Sequence, residues 1–204
     1  MSSRANSSRE RILSTAEQII LENGFTGTTI EDILAKAAIT KGGFFYHFDG
    51  KLDLALALVR RYIELDMSVF DELSARADCL SEDPLQQTLI FLNMFSEMVA
   101  GMTSVHPGCL VASFTYETQQ LNEEIRKLMQ QGLLAWRETM MRRLLRIMES
   151  YPQKVEVSAE ALADMFTSCV EGGIILARVY DDNRALIDQV QAYRTHLRLL
   201  FGNV

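Results

Sequence analysis

Apolar residues recur three and four apart along almost the whole chain, the spacing that gathers side chains on one face of an α-helix. The first such stripe is Ile12, Leu13, Ala16, Ile19 and Ile20. Ser7-x-x-Glu10 ahead of it has the form of a capping box, and Gly24 behind it supplies a left-handed stop. A shorter stripe, Ile30, Ile33, Leu34 and Ala37, follows a second capping-box pattern, Thr28-x-x-Glu31. After a turn around Ala38 and Ile39, Thr40 stands as the N-cap of a third short helix reaching about Tyr46. Asp49 is placed to cap a fourth, longer helix from about Lys51 to Ala77, with Leu52, Ala55, Leu56, Val59, Ile63 and Val69 or Phe70 on its apolar face.

The pattern continues to the end. Pro84 opens a fifth helix to about Met102, and His106-Pro107-Gly108 breaks the chain before a brief sixth helix near Cys109 to Tyr116. Asn122 caps a seventh to about Ser150, Ser158 caps an eighth to about Tyr180, and Asp182-Asn183 precedes a ninth ending near Phe201. With prolines only at 84, 107 and 152, the chain reads as all-α with about nine helices. Residues 1–50 are expected to form a three-helix domain in which two short helices and a tight turn make a helix-turn-helix, and residues 51–204 a helical bundle.

Charge sharpens that division. The net charge of -7 argues against a nucleic-acid partner for the whole chain, but residues 1–61 hold 8 Lys/Arg against 7 Asp/Glu, leaving 12 against 20 for residues 62–204. A DNA contact therefore belongs in the first part. The 48% hydrophobic content suffices for a buried core, yet no apolar run reaches the roughly 18 residues of a membrane span and no apolar signal region opens the chain, so a cytoplasmic location and no membrane contact are expected. Cys79, Cys109 and Cys169 are odd in number and far apart, in no CxxC pair, which speaks against a disulfide framework or a zinc site; no metal or cofactor is expected.

Within the helix-turn-helix, the second short helix is the element that enters a major groove. Gly42 and Gly43, costly in a helix, have a reason there, because without Cβ atoms the backbone approaches DNA closely. Thr40 and Lys41 are candidates for bases or phosphates, Thr28 and Thr29 for a phosphate at the preceding helix start, and Tyr46, His47 and Lys51 for the backbone on the other side. Phe44, Phe45 and Phe48 divide between packing and one ring at a thymine methyl or sugar. The alternative is a flexible Gly-Gly-Phe-Phe loop anchored to the core by its phenylalanines. Arg4, Arg9 and Arg11 form either a disordered tail or an arm along the DNA backbone.

The stretch TTIEDILAKAAITKGGFFYHFDGKLDL, Thr28 to Leu54, resembles the DNA-binding signature of the TetR family of transcriptional regulators, matching at Ile33, Ala37, Ile39, Thr40, Gly42, Phe44, His47, Phe48, Lys51 and Leu54. It departs at Leu34, at Ala38 where the family turn usually has glycine, and at Phe45 where it usually has tyrosine. If Ala38 must be left-handed it carries a modest steric cost. The resemblance implies a homodimer built from the last two helices, a double-stranded palindromic operator, and a bundle enclosing a small-molecule effector. Phe91, Phe95, Met98, Met102, Cys109, Phe114, Trp136, Met140 and Phe166 are the pocket candidates; ordinary core packing is the other reading of the same residues. Gly108-Cys109-Leu110 looks like a subgroup of TetR regulators, some of which sense electrophiles through a cysteine, although a buried small cysteine serves packing equally well.

In the last two helices Gly172-Gly173 permits close helix approach, suited to a two-fold interface or to a tight monomeric core. No catalytic set is visible among His47, His106 and His196. The sequence thus reads as a ligand-responsive DNA-binding regulator, most simply a repressor released by its effector; the alternatives are a DNA-binding architectural protein without effector control and a helical enzyme.

Overall fold

Each helix begins where the chain supplies an acceptor for the unpaired N–H groups of its first turn. In the computed structural model, which describes residues 2–202 and the side chains of residues 7–202, these starts define α1 Ser2–Asn23, α2 Ile30–Ala37, α3 Lys41–Phe45, α4 Lys51–Leu80, α5 Pro84–Ala100, α6 Leu110–Thr115, α7 Glu123–Ser150, α8 Ala159–Tyr180 and α9 Arg184–Phe201, with one 3-10 turn at Thr118–Gln120. Regular structure among the described residues is helical throughout.

Several expected caps hold. Thr40 Oγ1 accepts from Gly43 N–H at 3.1 Å, Asn122 Oδ1 from Ile125 N–H at 2.9 Å and Ser158 Oγ from Ala161 N–H at 3.1 Å. Three others differ. Because α1 already begins at Ser2, Ser7 lies inside it and caps nothing. The α2 capping box is shifted by one residue: Thr29 Oγ1 accepts from Asp32 N–H at 3.1 Å and the Asp32 carboxylate from Thr29 N–H at 2.9 Å. Thr28 is unavailable because it is buried, its hydroxyl donating to the Gly24 carbonyl at 2.7 Å. At α4, Asp53 rather than Asp49 supplies the carboxylate, accepting from Asp49 N–H at 3.0 Å.

The chain divides into two compact units, residues 1–65 with 107–132, and residues 66–106 with 133–204. The first is built around Ile12, Leu13, Ile20, Ile33, Phe44, Phe48 and Leu58, joined by Leu110, Phe114, Leu121 and Ile125. The segment 1–50 thus shares its core with residues well outside it. In the second unit Phe166 is ringed by Phe70, Phe91, Phe95 and Tyr193 with centroids 5.4 to 6.3 Å away, and α7 is tied to α8 by Arg137, which donates to both Asp164 oxygens at 2.7 and 2.8 Å. Packing of α8 on α9 is close: a Cβ at Gly173 would meet Leu186 Cα at 2.9 Å.

Ala38 closes α2 in the left-handed region, with φ 51° and ψ 51°, and is exposed. An L-residue pays about 1–2 kcal/mol there and glycine pays only in unfolded-chain entropy. Ala38→Gly is therefore expected to stabilise the protein by roughly 0.5–1 kcal/mol, read as a rise of a few degrees in the thermal midpoint.

Candidate nucleic-acid interface

The short helix α3 is held from beneath and bare on top. Phe44 and Phe48 are buried, with ring centroids 5.6 Å apart, and Phe45 packs edge-on against Phe44 at 5.3 Å while staying 44% exposed. Phe44 is thus an anchor of the head and has no face to offer DNA. Thr40, Lys41, Gly42 and Tyr46 are exposed side by side.

The two glycines have different reasons. A Cβ on Gly43 would lie 3.0 Å from Ile39 Cγ2 and 3.3 Å from Thr40 Oγ1, so the turn and its cap crowd this position and would have to shift by a few tenths of an ångström for a larger residue. A Cβ on Gly42 would meet nothing within 4 Å. Nothing inside the protein calls for glycine at 42, on the exposed surface beside Lys41.

Other expected contacts are already engaged. Thr28 is buried, whereas Thr29 is exposed at the α2 start, its hydroxyl drawn to Asp32. The Lys51 ammonium donates to the Phe25 carbonyl at 2.5 Å and sits 4.3 Å from the centre of the Phe25 ring, and its burial there lowers its pKa. His47 Nε2 is hydrogen-bonded to Ser8 Oγ at 2.7 Å. Of the basic residues of α1, Arg9 lies over the Phe48 ring at 5.3 Å and Arg11 is exposed; the Arg4 side chain falls outside the described residues.

Glu117 is a residue that sequence pattern could not single out. Its carboxylate accepts from Phe25 N–H at 2.7 Å and Thr26 N–H at 2.6 Å, ninety-odd residues away, and fastens the end of α6 to the loop between α1 and α2. Burial opposes its ionisation, but the hydrogen bonds from Thr26 and Phe25 and the charge of Lys51 outweigh it and hold the carboxyl below its ordinary 4.5. A depressed pKa means stability that is present above that value and lost as pH falls through the folded value. Glu117→Gln should cost about 1–2 kcal/mol at neutral pH in urea unfolding, with the difference from wild type shrinking below about pH 4.

The pocket candidates separate between the units. Phe114 packs edge-on against Phe25 at 5.2 Å in the first unit's core, and Cys109 caps α6 there, its sulfur accepting from Ala112 N–H at 3.3 Å. In the second unit Phe91, Phe95, Met140 and Phe166 are buried, Trp136 is half-buried, and Met98 and Met102 stand 40% and 39% exposed. Phe70, which ties Trp136 to Phe91 at 5.1 and 4.8 Å, belongs with them and was visible only as part of the α4 stripe. No group of three His, Cys, Asp or Glu side chains among the described residues is placed to hold a metal ion.

On α8 the exposed residues Met165, Ser168, Ile175 and Val179 and the half-buried Gly172 among them form one line, spaced three and four apart. Ile175 and Val179 are 53% and 72% exposed, and a Cβ on Gly172 would meet nothing within 4 Å. On α9, Ala192, Thr195 and Leu199 are exposed at the same spacing.

Residues 12–58 match the profile of bacterial regulatory proteins of the tetR family, and residues 84–192, more than half of the chain, match that of the LmrA/YxaF-like transcriptional regulator C-terminal domain. The chain belongs to the TetR family. This TetR-family helix-turn-helix regulator is 22% identical over 182 residues to the repressor DhaR of Mycobacterium sp. strain GP1, covering 89% of this chain and 87% of DhaR. It is 31% identical over 128 residues to the repressor NemR of Escherichia coli K12, covering 61% of this chain and 60% of NemR. A TetR-family regulator from Agrobacterium tumefaciens shares the fold at a TM-score of 0.79 and 23% identity, covering 97% of this chain and all of that one. No helix among the described residues of this TetR-family chain is long and apolar enough to cross a membrane.

Proposed function

We propose that this TetR-family regulator acts in the cytoplasm as a repressor: a homodimer that binds a palindromic operator through α3 and is released when a small molecule binds the second unit. The observation that carries the DNA contact is Gly42, whose missing Cβ has no internal explanation and which stands beside exposed Thr40, Lys41 and Tyr46. A glycine on such a surface lets backbone come against a groove wall. Thr29 and the exposed Arg11 add phosphate contacts at the edge, with His47 and Lys51 holding the head in shape.

Support for the homodimer comes from the α8 and α9 lines. Gly173 serves α8–α9 packing within one chain, which leaves Gly172 for a helix of a second copy, flanked by Ile175 and Val179. Two copies of the first unit joined this way bind successive major grooves, about 34–36 Å apart or a multiple, where one alone binds poorly. The effector site in this reading is the apolar group of Phe91, Phe95, Trp136, Met140 and Phe166, and the ligand favours a conformation in which the two heads no longer fit adjacent grooves. DhaR and NemR bear the name repressor, which favours repression over activation here.

The test is Lys41→Ala combined with Tyr46→Phe, in a duplex-shift assay at two salt concentrations. Loss of one phosphate contact per chain is expected to lower affinity and to reduce the salt slope by about two per dimer. Unchanged affinity and slope would remove α3 from the interface.

A further inference from the structure

Polar groups inside the second unit are at odds with its aromatic core. On α4, Phe70, Ser74 and Asp78 follow one another at intervals of four and share a face. Phe70 meets Trp136 of α7 at 5.1 Å, and two turns further along each helix Asp78 accepts from Arg143 at 3.0 Å. Ser74 lies between these two meeting points, and its hydroxyl oxygen is buried without a hydrogen-bond partner. Such an orphan is rare and normally marks a missing partner.

Arg143 stands at the same end of the unit. Its side chain is only 7% exposed, lies 5.2 Å from the Phe91 ring centre, and meets one carboxylate oxygen although a guanidinium carries five N–H donors. Asp78, at 41% exposed, is a half-solvated partner. Burial lowers the guanidinium's pKa, only partly opposed by Asp78, while Arg146 adds to the lowering. Nor is Arg143 alone in holding this end of the bundle: Arg146 donates to Gln87 Oε1 at 2.8 Å and the Tyr151 hydroxyl donates to Asp83.

We propose that Arg143 and Ser74 are the polar end of the effector site and that the effector is a small aromatic or branched apolar acid, its carboxylate taken by the guanidinium and the Ser74 hydroxyl, its body by Phe70, Phe91 and Trp136. The assignment rests on the reading that the second unit binds an effector, and it adds the chemical class. An arginine fork is the side chain best matched to a carboxylate, and a site built to hydrogen-bond one polar group rejects analogues that cannot pair with it.

Trp136 is the only tryptophan of the chain, so its fluorescence reports this site in the full-length protein. The probes are benzoate, its neutral isostere benzamide, and toluene, each also tested for release of bound operator duplex. Benzoate is expected to change Trp136 emission saturably and to bind at least about 10-fold tighter than benzamide. Ser74→Ala, which removes an orphaned hydroxyl and should melt no lower than wild type, is expected to weaken benzoate about 5-fold, and Arg143→Met to abolish the preference for the acid. Equal or tighter binding of benzamide or toluene, with operator release, would overturn the acid class and leave the effector reading standing. Silence of Trp136 and of operator release towards all three probes, in protein that still binds duplex, would overturn both.

Discussion

Gly42→Leu is expected to leave the head folded and to weaken operator binding at least about 100-fold, close to 3 kcal/mol. The new side chain starts in open space, since a Cβ at 42 touches nothing within 4 Å. Removing a glycine from an exposed helical position also favours folding by up to about 1 kcal/mol. Stability should therefore hold or rise while binding collapses, because in the proposed contact the leucine occupies the gap through which the α3 backbone approaches base edges. Gly43→Ala is the companion variant: its Cβ would press on Ile39 and the capping Thr40 hydroxyl, so it should lower the melting temperature as well as affinity. Thermal melts of both variants beside a duplex-shift assay separate a glycine needed by the protein from one needed by its partner. Binding by Gly42→Leu within threefold of wild type would place DNA elsewhere.

The second large effect concerns the outer line of α8. Ile175→Asp with Val179→Asp would put four carboxylates into the proposed two-fold interface, where Arg178 is the one α8 cation within helical reach of them, and desolvating each costs several kcal/mol. The expected product is a folded monomer, since both side chains are already exposed and contribute little to the chain's own core. Sedimentation should show half the wild-type mass, and affinity for a palindrome should fall at least about 100-fold, because one head no longer tethers the other at high effective concentration. A variant that remains dimeric would remove this line from the interface.

The helices were legible because their apolar spacing and caps are local. Thr40, Asn122 and Ser158 cap where the sequence suggests, and Gly24 stops α1 with φ +78°. The cost anticipated at Ala38 is real for the same reason: the turn geometry follows from the two short helices on either side, and φ is 51°. Local pattern misleads where two candidate caps compete. Thr28 and Thr29 both precede an acidic residue at the third position, and the burial of Thr28, its hydroxyl on the Gly24 carbonyl, leaves Thr29 to form the box.

The site was half legible. Phe48 under α3 and bare Lys41 above it follow from helix geometry, but the use of Lys51 on the Phe25 carbonyl and ring does not, since a lysine looks the same in sequence whether it grips phosphate or protein. Glu117 and Phe114 could not be assigned to the head because their partners, Phe25 and Thr26, lie about ninety residues earlier. The two glycine pairs show the same limit from the other side. Each pair contains one glycine with an internal reason and one without, and composition alone cannot tell Gly42 from Gly43 or Gly172 from Gly173.

The most direct test is selection of bound duplexes from a random-sequence library by the full-length protein, followed by measurement of how many chains each selected duplex carries. The account predicts enrichment of a two-fold symmetric sequence whose half-sites are centred one helical turn, or a multiple of it, apart and which binds chains in even numbers. Enrichment of an asymmetric single site occupied by one chain, or no enrichment at all, would contradict it.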